Sequence, residues 1–169
     1  NGETMNYTLH MGDCLDYMRT LPAGSVDAVI TDPPYGTTAC EWDSVIPFPP
    51  MWEQLRRIIK RDAPIVLFAA QPFTSTLIMS NVGWFRYEWV WVKNRASNFQ
   101  LAKRMPMRRH ENVLVFGETL PTFNLQLRPL PQPIKSSRQN KGANLGHCVD
   151  NGDYYQKETG YAFSDLHFA

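Results

Sequence analysis

Two apolar runs without polar alternation, Val26 to Ile30 and Pro64 to Ala69, constrain this chain most. A strand with one wet face alternates apolar with polar residues, whereas one that is apolar throughout is buried on both faces, as in a parallel sheet covered by helices. Around and between these runs, Cys14 to Leu21 carries apolar residues at helical spacing, as do Trp52, Leu55, Ile58 and Ile59, and Phe73 to Met79 reads as another helix. Tyr7 to His10, Phe85 to Val92 and Asn112 to Phe116 are β-leaning, and Trp89 and Trp91 fall on a core pattern. The alternation predicts an α/β fold with a doubly wound, mostly parallel sheet. A chain of 169 residues, 43% hydrophobic, is long enough for one sizeable core, so a single domain is expected over residues 5–169, Asn1 to Thr4 preceding the first methionine.

Charge is informative through its distribution. The net value is only +1, yet residues 1–92 hold 6 basic and 10 acidic side chains, 93–141 hold 10 and 2, and 142–169 hold 1 and 4. A basic middle segment on a near-neutral chain presents a local positive face to a polyanion, although a solvated basic loop has the same composition. The interval Lys93 to Glu111 has no sustained periodicity and is expected to be a functional or mobile basic loop, followed by a strand over 112–118. From residue 119 the character changes, with Pro121, Pro129, Pro131 and Pro133 ahead of the polar run Ser136 to Gly142. An irregular extended arm, a candidate target-recognition segment, is expected over 119–169. No run approaches the roughly 20 apolar residues of a membrane helix and no signal pattern opens the chain, so a cytoplasmic protein with no membrane partner is expected. Cys14, Cys40 and Cys148 show no CxxC spacing, which predicts free thiols, no zinc site and no metal.

The sharpest chemical signal is Asp32-Pro33-Pro34-Tyr35, directly after the apolar strand 26–30. Ligands of open α/β sheets bind outside the carboxyl ends of strands, where this tetrapeptide falls. Two prolines fix φ and remove two backbone donors, leaving a stiff loop rich in acceptors. An exocyclic amino group on a base is a poor nucleophile because its lone pair is delocalised into the ring. Two acceptors, the Asp32 carboxylate and the Pro33 carbonyl, can hold its N–H bonds and localise the lone pair, while Tyr35 stacks on the base. A base in duplex DNA must first leave the stack, at a cost of a few kcal/mol. The plainer alternative is a strand-ending turn, since Asp and Pro are ordinary turn formers.

Gly12-Asp13-Cys14-Leu15, then Ser25 to Gly36 through Asp32-Pro33-Pro34-Tyr35, then His110 to Gly117, resemble in order and spacing the opening blocks of the N6-adenine/N4-cytosine DNA methyltransferases. The similarity is to the subgroup whose catalytic motif precedes its cofactor glycine motif, and it spans about residues 6 to 168. It implies a Rossmann-like S-adenosylmethionine-dependent fold, with S-adenosylmethionine as cofactor and DNA as partner. Asp32, Pro33, Pro34 and Tyr35 would form the catalytic loop; Asp13 and Cys14, with Asp32, would contact the cofactor, Asp13 being equally suited to capping a helix. The aspartate form of the motif resembles the adenine enzymes more than the cytosine ones. Lys93, Arg95, Lys103, Arg104, Arg108 and Arg109 are then the candidate phosphate contacts. His110 reads as structural.

One departure matters. Members of this subgroup continue into a His-Pro-Thr-Gln-Lys-Pro-like segment and a glycine-rich strand-to-helix turn around the cofactor, and neither pattern occurs here. The fold is therefore expected to be incomplete at its C-terminus, and either a missing second half of the enzyme or a homodimer is an expected partner. The competing expectation is a catalytically incomplete fragment or a non-catalytic DNA-binding module.

Overall fold

The computed structural model describes residues 7–124, 128–136, 154–159 and 164–167. The chain divides into two compact units, one formed by residues 1–122 with 164–169 and the other by residues 123–163.

The first unit is α/β. Helix α1, Cys14–Thr20, is started by Asp13, whose carboxylate accepts from the amides of Leu15 at 2.7 Å and Asp16 at 3.4 Å. Helix α2, Phe48–Ile58, opens with prolines in its first turn, where a missing N–H costs nothing. Its buried residues Met51, Trp52, Leu55 and Ile58 follow the three-four spacing of a core-facing stripe. Arg57, in its last turn, donates to the carbonyls of Leu21 at 2.7 Å and Met18 at 2.6 Å, satisfying the open end of α1 and fastening it to α2. Helix α3 spans Phe73–Ser80, and the indole N–H of Trp52 donates to Ser80 at 2.8 Å to join α2 to it.

Four strands form most of the sheet: β1, Val29–Thr31; β2, Ile65–Ala69; β3, Phe85–Ser97; and β4, Arg108–Phe116. In the second unit β5, Arg128–Ser136, pairs antiparallel with β6, Tyr154–Thr159. The last strand, β7, Asp165–His167, returns to the first sheet, whose order is β1-β2-β4-β3-β7. β1 is parallel to β2 and β3 to β7, while β4 is antiparallel to both its neighbours. Four of the five strands therefore run in one direction, and the carboxyl ends of β1, β2 and β3 share one edge of the sheet with the start of β4.

Register places Ile65 opposite Phe116 and Leu67 opposite Leu114, and these four are almost completely buried against α2 and α3. The other face carries Val66, Phe68, Tyr87, Trp89 and Trp91, all half-buried, around the buried Val113 and Val115 of β4. Burial on both faces was thus expected of β2 and is complete on one. Trp89 and Trp91 accordingly sit on this partly open face, not in the main core.

Several boundaries differ from the sequence expectations. The run 26–30 becomes a strand only from Val29, with Val26 making an isolated bridge to Ile59. Tyr7 to His10 forms no strand, and its side chains are exposed. The interval 93–111 is not one loop: β3 runs through Lys93 to Ser97 and β4 begins at Arg108, so the expected strand over 112–118 starts four residues earlier. Cross-strand pairing overrides the polar composition there, because Val92 pairs with His110 and Ser97 with Arg108 around a wide bulge. Within the arm expected over 119–169, residues 128–136 and 154–159 are paired strands, and 165–167 belongs to the first sheet. Among the described residues no helix is long and apolar enough to cross a membrane, and no group of three or more His, Cys, Asp or Glu is placed to hold a metal. Cys14 and Cys40 are free thiols; Cys148 lies outside the described residues.

Candidate active site

β1 ends at Thr31 and delivers Asp32-Pro33-Pro34-Tyr35 at the carboxyl edge of the sheet. Backbone accounting shows how the loop is held. Pro33 and Pro34 have no N–H to satisfy. The next four amides all go to one buried carboxylate: Asp43 Oδ1 accepts from Tyr35 at 2.8 Å and Gly36 at 2.9 Å, and Oδ2 from Thr37 at 2.8 Å and Thr38 at 2.6 Å. Every backbone donor from residue 33 to residue 38 is thereby absent or turned away from solvent.

The Thr38 side chain does most to stabilise the Asp43 anion. Burial opposes it, the amides of Gly36, Thr38 and Thr37 add to it, and the net effect holds the carboxyl down to about 2. Gly36 permits the turn, because its φ is +67° and a Cβ there would stand 2.8 Å from Val45 Cγ2.

Above this clamp, the Tyr35 hydroxyl donates to Asp32 Oδ1 at 2.6 Å, and its ring stacks on Phe73 with centroids 5.1 Å apart and planes at 21°. Burial, then the hydrogen bond and charge of Asp32, then the charge of Glu111, push the Tyr35 phenol well above the ordinary tyrosine range. It stays a neutral donor that aims the carboxylate. Asp32 is exposed, and Asp32, Pro33, Pro34 and Tyr35 line a cavity of about 250 Å³ together with Thr37, Thr38, Trp42 and Asp43. That volume lies below the roughly 300–1,000 Å³ of pockets for drug-sized ligands and is the scale of one planar ring.

The structure places Asp32, Pro33, Pro34 and Tyr35 in the lining of one cavity and leaves the other candidates outside it. Asp13 and Cys14 stand exposed at the start of α1, where Asp13 is the N-cap. Lys93 is half-buried, ion-paired with Glu111 and 5.2 Å from the Trp91 ring centroid, so its charge is largely spoken for. Arg109 donates to the Lys93 carbonyl at 3.1 Å and Arg108 to the Gln71 carbonyl at 3.1 Å, both from exposed positions. Arg95, Lys103 and Arg104 are exposed around the turn that joins β3 to β4.

Sequence reasoning missed Asp43, whose only signal was a lone acid beyond Gly36, Thr37 and Thr38, residue types whose amides turn easily toward a carboxylate. It also missed Phe73, the platform under Tyr35, and Glu111, which reaches the phenol electrostatically.

No protein-family model matches the sequence, and no curated protein matches it. Solved structures do. The chain superposes on the PvuII DNA methyltransferase (cytosine-N4-specific) with a TM-score of 0.55 at 15% identity, over 74% of this chain and 50% of that one. It also matches M1.HpyAVI, solved as its complex with SAM, with a TM-score of 0.40 at 19% identity, over 75% and 55%. The PvuII likeness shows that this chain has the α/β fold of that methyltransferase, and the chain spans about half the length of these structures.

Proposed function

We propose that this chain carries the target-base half of an S-adenosylmethionine-dependent DNA amino-methyltransferase, acting on N6 of adenine in preference to N4 of cytosine. The observation that carries this reading is the withdrawal of every backbone donor from residue 33 to 38, by proline or by Asp43. The backbone of this loop then offers the cavity acceptors and no donors, and the ligand that fits such a backbone is a donor with two N–H bonds. An exocyclic amino group is that donor. Asp32 accepts one N–H through the oxygen Tyr35 does not occupy, and the Pro33 carbonyl accepts the other. Tyr35, backed by Phe73 on one face, stacks on the base with the other. Holding both N–H bonds localises the nitrogen lone pair and fixes its direction, which is positional catalysis. The proton lost from nitrogen on methylation passes to Asp32.

The cofactor, when bound, supplies the electrophilic methyl group. Asp13 and Cys14 fit its adenosine end, because they stand on an exposed surface where Asp13 presents a carboxylate whose Oδ1 also caps α1. The 250 Å³ cavity has room for the base alone, so the cofactor would lie outside it. DNA enters the reading through the exposed cations Arg95, Lys103, Arg104, Arg108 and Arg109, which suit phosphate, with Lys93 contributing least because Glu111 neutralises it. The fold shared with the PvuII methyltransferase and the Asp-Pro-Pro-Tyr loop support the reaction class; the aspartate favours adenine.

The test is incorporation of labelled methyl groups into duplex DNA by the chain assembled with a cofactor-binding half, followed by digestion to nucleosides. We expect N6-methyladenine, and a loss of about 100-fold or more in Asp32→Ala with the thermal unfolding midpoint kept. N4-methylcytosine as product would reassign the base, and undiminished transfer by Asp32→Ala would remove the catalytic-loop assignment. Duplex binding without transfer by wild type would favour the non-catalytic DNA-binding module.

A further inference from the structure

The turn between β3 and β4 is short of acid and rich in exposed apolar surface. No Asp or Glu occurs between Lys93 and His110. Asn98 takes a left-handed conformation, φ 64°, and opens a single 3-10 turn, Phe99–Leu101. The amides of Leu101, Ala102, Arg104 and Met105 then bond back to carbonyls of Asn98, Phe99 and Leu101 at 2.8 to 3.1 Å. The tip is a hydrogen-bonded knob, not a slack loop.

On this knob Phe99 is 74% exposed, Leu101 42% and Met105 48%, interleaved with exposed Arg95, Lys103 and Arg104. Large apolar side chains clustered in water at a fixed tip mark a surface that is covered by something else. The cover must be both anionic and apolar. DNA offers phosphates beside the faces of stacked bases, and proteins that unstack it insert Phe, Leu or Met between base steps from basic surfaces. The root of the ribbon points to the same partner. Arg108 bonds the carbonyl of Gln71, two residues before Phe73, which stacks on Tyr35, and the charge of Glu111 is felt at the Tyr35 phenol. β3 and β1 both run toward this edge of the sheet, so the foot of the ribbon and the cavity share it.

We propose that the β3–β4 tip is a wedge that inserts Phe99 and Leu101 into the base stack of duplex DNA while Arg95, Lys103 and Arg104 hold the flanking phosphates. The proposal rests on the DNA reading above. It assigns base opening to residues outside the catalytic loop.

The experiment uses the full chain and fluorescein-labelled mixed-sequence duplexes, intact or with one central abasic site, read by anisotropy across a salt series. A wedge fills the gap, so wild type should bind the abasic duplex about tenfold more tightly than the intact one. Phe99→Ala/Leu101→Ala should lose that preference and keep the wild-type salt slope. Arg95→Ala/Lys103→Ala/Arg104→Ala should keep the preference, weaken both complexes and reduce the logarithmic salt slope by about 3, near 0.9 per phosphate contact. All substituted residues are exposed, and an unchanged thermal midpoint would confirm that each variant folds. Retention of the gap preference in the Phe99→Ala/Leu101→Ala variant would overturn the wedge and leave the methyltransferase reading standing. Equal binding of the two duplexes by wild type would do the same. Failure of wild type to bind either duplex would overturn both readings. Binding to phosphatidylserine vesicles that is lost with Phe99 and Leu101, without any gap preference, would assign the tip to a lipid surface instead.

Discussion

Gly36→Ala isolates what holds the candidate loop in shape. Gly36 sits at φ +67°, and an added Cβ would stand 2.8 Å from Val45 Cγ2. The first cost is backbone: a left-handed conformation with a Cβ costs about 1–2 kcal/mol. The second is steric, since carbon atoms prefer a separation of about 3.5–4.0 Å. Relieving that contact is overpacking, which costs typically about 1–3 kcal/mol. Val45 is 40% exposed and can rotate toward solvent, which places the steric cost near the lower end and the total near about 2–3 kcal/mol. A double-mutant cycle separates the two. Val45→Ala removes the obstructing methyl, so Gly36→Ala/Val45→Ala should recover about 1 kcal/mol relative to the sum of the single changes. Gly36→Asn tolerates the backbone conformation better than alanine and should show chiefly the contact. The assay is urea unfolding followed by tryptophan fluorescence, with a shifted midpoint and an unchanged slope. A Gly36→Ala variant within about 0.5 kcal/mol of wild type, with no coupling to Val45, would refute the argument that this turn demands glycine.

Three further outcomes follow from the same geometry. Asp43 has its pKa lowered to about 2, against about 3.9 for a free aspartate, so its contribution to stability is complete above about pH 4 and disappears as pH falls toward 2. Asp43→Asn should flatten the acid limb of the unfolding midpoint in that window, and identical acid limbs would remove the four-amide clamp. Tyr35 has the opposite sign: its phenol is raised, so its contribution holds below about pH 10 and is lost as pH climbs through the folded value. Tyr35→Phe should therefore show a shallower alkaline limb, with one fewer late-titrating phenol by ultraviolet absorbance. Leu67→Ala, at a side chain only 1% exposed between the sheet and its helices, should cost about 2–5 kcal/mol in urea unfolding; a loss under about 1 kcal/mol would contradict its place in the main core.

Much of the first unit was legible because its signals are local. The apolar stripe of α2 and the run of β2 each declare their period within a dozen residues, and both elements appear where expected. Strand direction and order were less legible. Nothing in the residues 108–116 says that β4 inserts between β2 and β3, since its place beside β2 is settled by pairing between residues more than 40 apart. The ribbon was missed for a related reason. Residues 93–97 and 108–111 are polar, and composition argued for a loop, but their backbones continue a ladder already established by Trp91 and Glu111. At the site, Asp32 to Tyr35 stood out as a motif while Asp43 did not, because a carboxylate that serves chiefly the backbone amides of one turn leaves little side-chain pattern to read.

The division of labour between the two aspartates explains why they differ in exposure. Asp43 is buried and its oxygens are filled by four amides, so it has no capacity left for a ligand. Asp32 is exposed, and among the described residues its carboxylate accepts from a neutral hydroxyl, that of Tyr35. A cation there would weaken the carboxylate as a proton acceptor; a hydroxyl orients it at little electrostatic cost. Exchange of the two roles is not tolerated by the geometry. Asp43 faces donors that converge from one side of the turn, whereas Asp32 follows β1 at the edge of the sheet, beside the cavity. The loop is thus rigid because of Asp43 and, on the proposed function, reactive because of Asp32. Loss of the first should disorder the position of the second before it alters its chemistry.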